Sequence, residues 1–431
     1  MNEVTLTPAS GPLTGNLQVP GDKSISHRAV ILGSLARGTT NITNFLTGED
    51  CMRTIGAFRQ FGVSIEQNDT SVKINSNGPD DFKEPAEPLY YGNSGTTARL
   101  MVGVLAGLPF FTSVYGDPSL ASRPMDRVVT PLKKMGARFD GRSDGTYLPL
   151  AVRGGNLKGI HYILPVKSAQ VKSAILFGGL FAEGPTEVIE KSPSRNHSEN
   201  MLRAFGADIA ETNHRIRITS QKPLTAADVH VPGDISSAAF FMTAAAIVPG
   251  SKLTLSNVGL NHTRTGIMDV LAEMGASVDV SNKQTIGGET FGDVTVTYQK
   301  LKGAVIEGDI IPRLIDELPI IALAATQAEG ETVIRDAAEL RLKETDRIKA
   351  TADGLTRLGA QIKPTEDGMI IKGDAALTGG KTAAYNDHRI AMMLSIASLI
   401  TKQDVIIDDI SSIAISYPEF FRDLQTISSK R

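Results

Sequence analysis

One phrase recurs along this chain of 431 residues: an apolar residue, two variable positions, an apolar residue and then Gly. It reads Phe58-Arg-Gln-Phe-Gly62, Leu132-Lys-Lys-Met-Gly136, Leu202-Arg-Ala-Phe-Gly206, Leu271-Ala-Glu-Met-Gly275 and Leu355-Thr-Arg-Leu-Gly359. The period is roughly seventy residues, the size of one supersecondary unit. The phrase describes a helix closed by a glycine, which reaches the left-handed conformation without a Cβ penalty. Alternating residues follow it, as in Ala276-Ser-Val278-Asp-Val280, and period two marks a strand. A second phrase runs out of step with the first. A polar cluster opens a helix rich in small apolar residues, near Lys23-Ser-Ile-Ser-His-Arg28, Asn93-Ser-Gly-Thr-Thr, Ser168-Ala-Gln-Val-Lys172, Asp234-Ile-Ser-Ser, Asp316-Glu-Leu-Pro and Asp387-His-Arg389. Strands such as Thr186-Glu-Val-Ile, Lys252-Leu-Thr-Leu and Asp404-Val-Ile-Ile come after these helices.

Six units of the pattern βαβαββ follow, each too small to bury its apolar face alone. The last unit lacks the glycine phrase because a helix over 418–427 takes its place, and a strand over 4–7 is expected to complete it. The tetrapeptide Val-Pro-Gly-Asp occurs at 19–22 and again at 231–234, with three units between the copies. The expected architecture is an α/β protein of two domains with three units each. Residues 1–20 with 233–431 form one domain, residues 21–232 the other, and the chain crosses at the two tetrapeptides. Ligand sites favour the cleft between such domains.

Composition removes whole classes of function. Net charge is −3, so no bulk basic field recruits nucleic acid or an anionic membrane. Trp is absent and aromatics are 5%, which leaves no stacking platform for bases. The single cysteine, Cys51, excludes a disulfide framework and fits a reducing cytoplasm. Residues 1–6 carry no basic-then-apolar export pattern, and apolar runs such as 238–248 are too short to span a bilayer.

The helix openings hold the residues one would choose for anions. A helix N-terminus presents unpaired N–H groups and a partial positive charge. Here such openings carry Lys23, Ser24, Arg28, Asn93, Gly95, Ser168, Gln170 and Arg389, while the second helix family adds Arg123, Arg195, Lys343, Glu344 and Arg347. Arginine forks bind phosphates and carboxylates in a bidentate manner. Each residue also has a plainer reading. Lys23 and Arg28 make an ordinary solvated helix start, and Gly92 to Gly95 a turn. Asp316 and Asp387 are good N-caps, and Lys343, Glu344 and Arg347 form exposed helix pairs of little worth. His27 and His388 have no metal-ligand spacing, and Gly379-Gly-Lys-Thr382 lacks the first glycine of a phosphate loop. What favours the functional reading is recurrence of these clusters at corresponding places in successive units.

The segments Gly21-Asp-Lys-Ser-Ile-Ser-His-Arg28, Gly92-Asn-Ser-Gly-Thr-Thr-Ala-Arg99, Ser122-Arg-Pro-Met-Asp-Arg127, Ser168-Ala-Gln-Val-Lys-Ser173, Leu342-Lys-Glu-Thr-Asp-Arg347 and Asp387-His-Arg-Ile-Ala-Met392 together resemble the 5-enolpyruvylshikimate-3-phosphate synthases. The resemblance covers the whole chain and implies a two-domain inside-out α/β barrel. It looks like the second bacterial class, with Ile415 where the first class has a phosphoenolpyruvate-contacting Lys. The related UDP-N-acetylglucosamine enolpyruvyl transferases are the alternative. They carry Lys-Asn where this chain has Lys23-Ser24, and a reactive Cys where it has about Pro118. In the family, bulk at the position of Gly95 keeps out the inhibitor glyphosate.

By resemblance, Lys23, Ser24, Arg28, Ser168, Ala169, Gln170, Arg195, Asp316 and Lys343 hold shikimate 3-phosphate. Lys23, Asn93, Gly95, Arg123, Gln170, Arg347 and Arg389 hold phosphoenolpyruvate. The implied reaction is addition followed by elimination. Asp316 is the candidate base at the 5-hydroxyl and Glu344 the candidate acid at the methylene carbon, with Lys23 the other group that could serve there. No metal or organic cofactor is required, and a cytoplasmic monomer is expected.

Overall fold

A computed structural model describes residues 3–428 of the chain. Two helices recur in each unit: α1 Lys23–Leu35 and α2 Glu49–Gln60, α3 Gly95–Gly107 and α4 Asp126–Met135, α5 Ala169–Gly179 and α6 His197–Ala204, α7 Ile235–Ile247 and α8 Gly266–Glu273, α9 Leu318–Thr326 and α10 Arg347–Arg357, α11 His388–Ala397 and α12 Phe420–Ser428. The protein is a mixed α/β fold of six repeated units. The odd-numbered helices are the ones opened by polar clusters. Beyond those openings they are largely apolar and correspondingly buried: every residue of α7 is buried, as expected for a helix without a polar face. The even-numbered helices are amphipathic. Five of these six end before Gly62, Gly136, Gly206, Gly275 and Gly359, all at positive φ as the phrase predicts. The last, α12, begins at Phe420 and ends at Ser428, two residues and one residue later than the sequence reading placed its ends.

Strand order repeats as well. In the third unit His161–Ile163 runs parallel to Thr186–Ile189, which pairs antiparallel with Arg215–Thr219, and Asp208–Thr212 lies at the edge. Among the described residues, five sheets have this four-stranded order and the sixth has three strands. In that last sheet Val4–Leu6 pairs antiparallel with Val405–Ile407, so the strand expected to complete the unit does so, one residue shorter than 4–7. The strand Thr14–Gln18 completes the fourth unit by running parallel to Lys252–Ser256. The first unit is completed from the other direction, by Val229–His230 beside Ile42 and Thr43.

Contacts divide the chain into two compact units. The first takes residues up to Pro20, then Pro232–Gln284 and everything from Thr290; the second takes Gly21–Val231 and Thr285–Glu289. The sequence reading had placed 285–289, the turn of a long hairpin, and Pro232 differently. Each unit has its own hydrophobic core. Within the second, α3 and α5 approach so closely that a Cβ added to Gly103 would lie 2.3 Å from the carbonyl oxygen of Ala174. Only a glycine permits that crossing.

Candidate active site

The structure gathers the sequence candidates into two groups, one in each unit. In the second unit the openings of α1, α3 and α5 meet. Asp22, Ser94 and Ser168 cap them, accepting from the backbone N–H of Ile25, Thr97 and Val171. Arg28 is only 3% exposed. It donates from Nε to Ser198 Oγ at 2.7 Å, from Nη1 to the Ser24 carbonyl at 2.9 Å and from Nη2 to Ser173 Oγ at 2.9 Å. Burial pulls its pKa down to about 10; Glu199, Asp22 and Glu289 oppose that pull and Arg195 adds to it. It therefore stays charged at neutral pH. Arg195 lies two residues before α6, partly exposed. Lys23 is ion-paired with Asp50, and Ala169 is the first residue of α5.

Gln170 is held from two sides. Its Oε1 accepts from Arg99 Nη1 at 2.7 Å and its Nε2 donates to Thr96 Oγ1 at 3.1 Å. Arg123 donates to Asn93 Oδ1 at 2.6 Å, and Asn93 in turn donates to Asp117 Oδ2 at 2.9 Å. A Cβ built on Gly95 would sit 3.4 Å from Nη1 of both Arg123 and Arg99. Two guanidiniums thus flank the first residue of α3, where the first N–H groups lack intrahelical partners and the partial charge is positive. His27, read as structural, bonds through Nδ1 to Thr54 Oγ1 at 2.8 Å. Its burial lowers the pKa to about 3, so the ring is neutral.

In the first unit the centre is Arg347, the first residue of α10. The sequence reading allowed it an exposed helix pair, and the structure overturns that: it is 1% exposed. Its Nε donates to Asp387 Oδ2 at 2.8 Å, Nη1 to Asp316 Oδ1 at 3.3 Å and Nη2 to Glu344 Oε2 at 2.6 Å. Burial works against this cation, but Glu344, Asp387 and Asp316 outweigh it and hold the guanidinium above the ordinary arginine range. Lys343 Nζ lies 3.6 Å from Asp316 Oδ1 and 3.0 Å from Glu339 Oε1. Arg389 donates to the carbonyl oxygen of Asp316 at 3.2 Å. Asp387 does cap α11, accepting from the N–H of Arg389 at 2.8 Å, while its other oxygen anchors Arg347. Asp316 lies one residue ahead of the α9 cap position, which Glu317 occupies.

The two carboxylates expected to move protons are therefore held by different nitrogens of one buried guanidinium, and cationic and amide donors crowd the helix openings. Such an arrangement can neutralise phosphate and carboxylate groups while keeping two acids apart. Among the described residues no group of three or more His, Cys, Asp or Glu is placed to hold a metal ion, and no helix is long and apolar enough to cross a membrane.

Sequence reasoning missed several participants. Arg99 follows Gly95 by four residues and so shares its helix face, a signal present but unused. Lys172 is a cation inside the apolar helix α5, and it pairs with Glu190 Oε2 at 2.8 Å and Glu199 Oε1 at 2.6 Å, all three buried. A charge in such a helix demands a partner, but nothing in the sequence says which. Asp50 and Glu317 had no local signal.

A family model for EPSP synthase (3-phosphoshikimate 1-carboxyvinyltransferase) matches residues 8–424. The chain belongs to the EPSP synthase family. The 3-phosphoshikimate 1-carboxyvinyltransferase of Oceanobacillus iheyensis is 57% identical over 427 residues, 99% of this chain and 100% of that one. The Bacillus subtilis enzyme of the same name is 55% identical over 419 residues, 97% of this chain and 98% of that one. Among solved structures, an EPSP synthase from Acinetobacter baumannii superposes with a TM-score of 0.92 at 44% identity, covering 99% of this chain and 98% of that one. The enolpyruvyl transferase NikO from Streptomyces tendae, at TM-score 0.80 and 18% identity over 99% and 98% of the two chains, shares the fold. Membership of the EPSP synthase family makes the chain a transferase of the shikimate pathway, acting on phosphoenolpyruvate and shikimate 3-phosphate. It also decides against the sugar-nucleotide alternative.

Proposed function

We propose that in this chain the enolpyruvyl transfer proceeds by addition and then elimination. Lys23, Ser24, Arg28, Ser168, Ala169, Gln170, Arg195, Asp316 and Lys343 serve shikimate 3-phosphate. Lys23, Asn93, Gly95, Arg123, Gln170, Arg347 and Arg389 serve phosphoenolpyruvate. The Lys23–Asp50 ion pair opens so that the ammonium meets the ligands. Arg28 spends three N–H donors on protein oxygens and keeps two of the five a guanidinium has for the ligand.

The addition needs two proton transfers. Asp316 removes the proton of the 5-hydroxyl as its oxygen bonds to C2 of phosphoenolpyruvate, and Glu344 delivers a proton to C3. The tetrahedral adduct then loses a C3 proton and expels phosphate, restoring the double bond. The observation that carries this reading is the buried Arg347, with Asp316 on one Nη and Glu344 on the other. It keeps both carboxylates in place without letting one serve both faces. No metal or organic cofactor enters, and we place the protein in the cytoplasm as a monomer.

Phosphate release from phosphoenolpyruvate plus shikimate 3-phosphate in metal-free buffer tests the assignment. Asp316→Asn is expected to bind shikimate 3-phosphate yet release no phosphate, and normal turnover would sink the proposal. Glu344→Gln is expected to lose exchange of the phosphoenolpyruvate C3 hydrogens with tritiated water. Undiminished exchange would pass the acid role to Lys23.

A further inference from the structure

Glu317 has no task in the mechanism above, yet it is buried to 1% exposure beside residues that do. A glutamate at a helix cap position usually bonds backbone N–H groups, but this one makes no capping bond. Its Oε1 accepts from Ser236 Oγ and lies 3.6 Å from Arg389 Nη1. Its Oε2 meets no hydrogen-bond partner among the described residues. An unsatisfied buried carboxylate oxygen costs a folded protein stability, so a positive charge close by is what makes this position tolerable.

We propose that Glu317 is a positioning residue for the phosphoenolpyruvate site, acting through Arg389; the inference rests on the assignment of Arg389 made above. Arg389 is held at two neighbouring points, the carbonyl of Asp316 at 3.2 Å and the carboxylate of Glu317. The carbonyl fixes one N–H direction. The carboxylate supplies charge without taking a hydrogen bond at 3.6 Å, so the guanidinium is steered while its remaining donors stay available to an anion. Glu317 is itself fixed from behind. Arg264 Nη2 donates to Ser236 Oγ at 2.7 Å and to Asp234 Oδ1 at 3.2 Å. Arginine has no acceptor, so the Ser236 hydroxyl must spend its own proton on Glu317. The chain of contacts Arg264, Ser236, Glu317, Arg389 thus joins the openings of α7, α9 and α11.

The experiment is a double-mutant cycle on steady-state kinetics and on shikimate 3-phosphate binding. Glu317→Gln keeps the shape and removes the charge. It is expected to raise KM for phosphoenolpyruvate about tenfold, a coupling usual for contacting charged groups, while kcat and the binding of shikimate 3-phosphate stay within about twofold. Ser236→Ala, which removes the hydroxyl that bonds Glu317 and accepts from Arg264, is expected to move KM the same way by less, and it stands in if Glu317→Gln does not fold. With Arg389→Ala as background, Glu317→Gln should add nothing further. Additive effects, or equal losses toward both substrates accompanied by a lowered Tm, would overturn the proposal. An Arg389→Ala variant with unchanged KM for phosphoenolpyruvate would overturn both the proposal and the assignment it rests on, which separates the two failures.

Discussion

Burying a guanidinium beside three carboxylates is favourable only while all of them stay matched. Removing one partner of a buried ion cluster typically costs about 3–5 kcal/mol, because the others are left uncompensated. Arg347→Ala takes the guanidinium from Asp387 and Asp316, which keep only the Arg389 N–H and Lys343 among the partners described above; Glu344, a third exposed, loses less because water screens it. Chemical denaturation should show a loss toward the lower end of that range, and Arg347→Lys a smaller one, since an ammonium keeps the charge without the fork. At the mouth of α3, Arg123→Ala should raise KM for phosphoenolpyruvate more than for shikimate 3-phosphate; equal changes would make it structural. His27 gives a pH signature. The fold wants the neutral ring, with its pKa at about 3 against the ordinary histidine value of 6.5. The unfolded chain therefore binds the extra proton, and stability falls as pH drops below 6.5. The loss by pH 5 should be about 2 kcal/mol, and His27→Gln should remove that part of the acid slope in urea midpoints measured at pH 7 and 5. Single side chains were legible where their type carries chemistry: Arg, Lys and acid at a helix opening. Glu317 and Asp50 were not, because what matters about them is a partner far away in sequence.

Helices and their ends were read more securely, since the signals are local. The glycine that closes five of the even-numbered helices is required by backbone conformation, and that predicts a contrast. Gly206 lies at φ 78° with nothing within 4 Å of an added Cβ, so Gly206→Ala meets strain but no clash. It should cost about 1–2 kcal/mol, with Gly206→Asn milder. Gly103→Ala lies on ordinary helical backbone but drives a methyl into the Ala174 main chain. It should separate α3 from α5 and cost more, as thermal melts of the two variants would show. The sequence named Gly206 and was silent on Gly103, because a close helix crossing leaves no periodic trace.

The repeat made six units legible from the sequence alone; which strand completes which sheet was only partly so. The strand over Val4–Leu6 was foreseen in the last sheet, but Thr14–Gln18 in the fourth was not, as short parallel pairings carry little local pattern. The consequence is testable by dissection. Residues 21–231 contain every strand of their sheets, including Val229–His230, and should melt cooperatively when expressed alone. Residues 232–431 lack two strands and should not, until residues 1–20 are rejoined by a flexible linker to their C-terminal end. A cooperative melt of 232–431 unaided, followed by circular dichroism, would refute this.

The pairing of Val4 with Ile407 also sets an order of events on the ribosome. At the usual rate of synthesis the first strand emerges roughly 20–80 s before its partner exists, long enough for the intervening unit to finish folding. Until then its unpaired edge is open to any nascent neighbour. Slower elongation would lengthen that interval, so the yield of native protein should depend on the tempo of translation and on holdase chaperones.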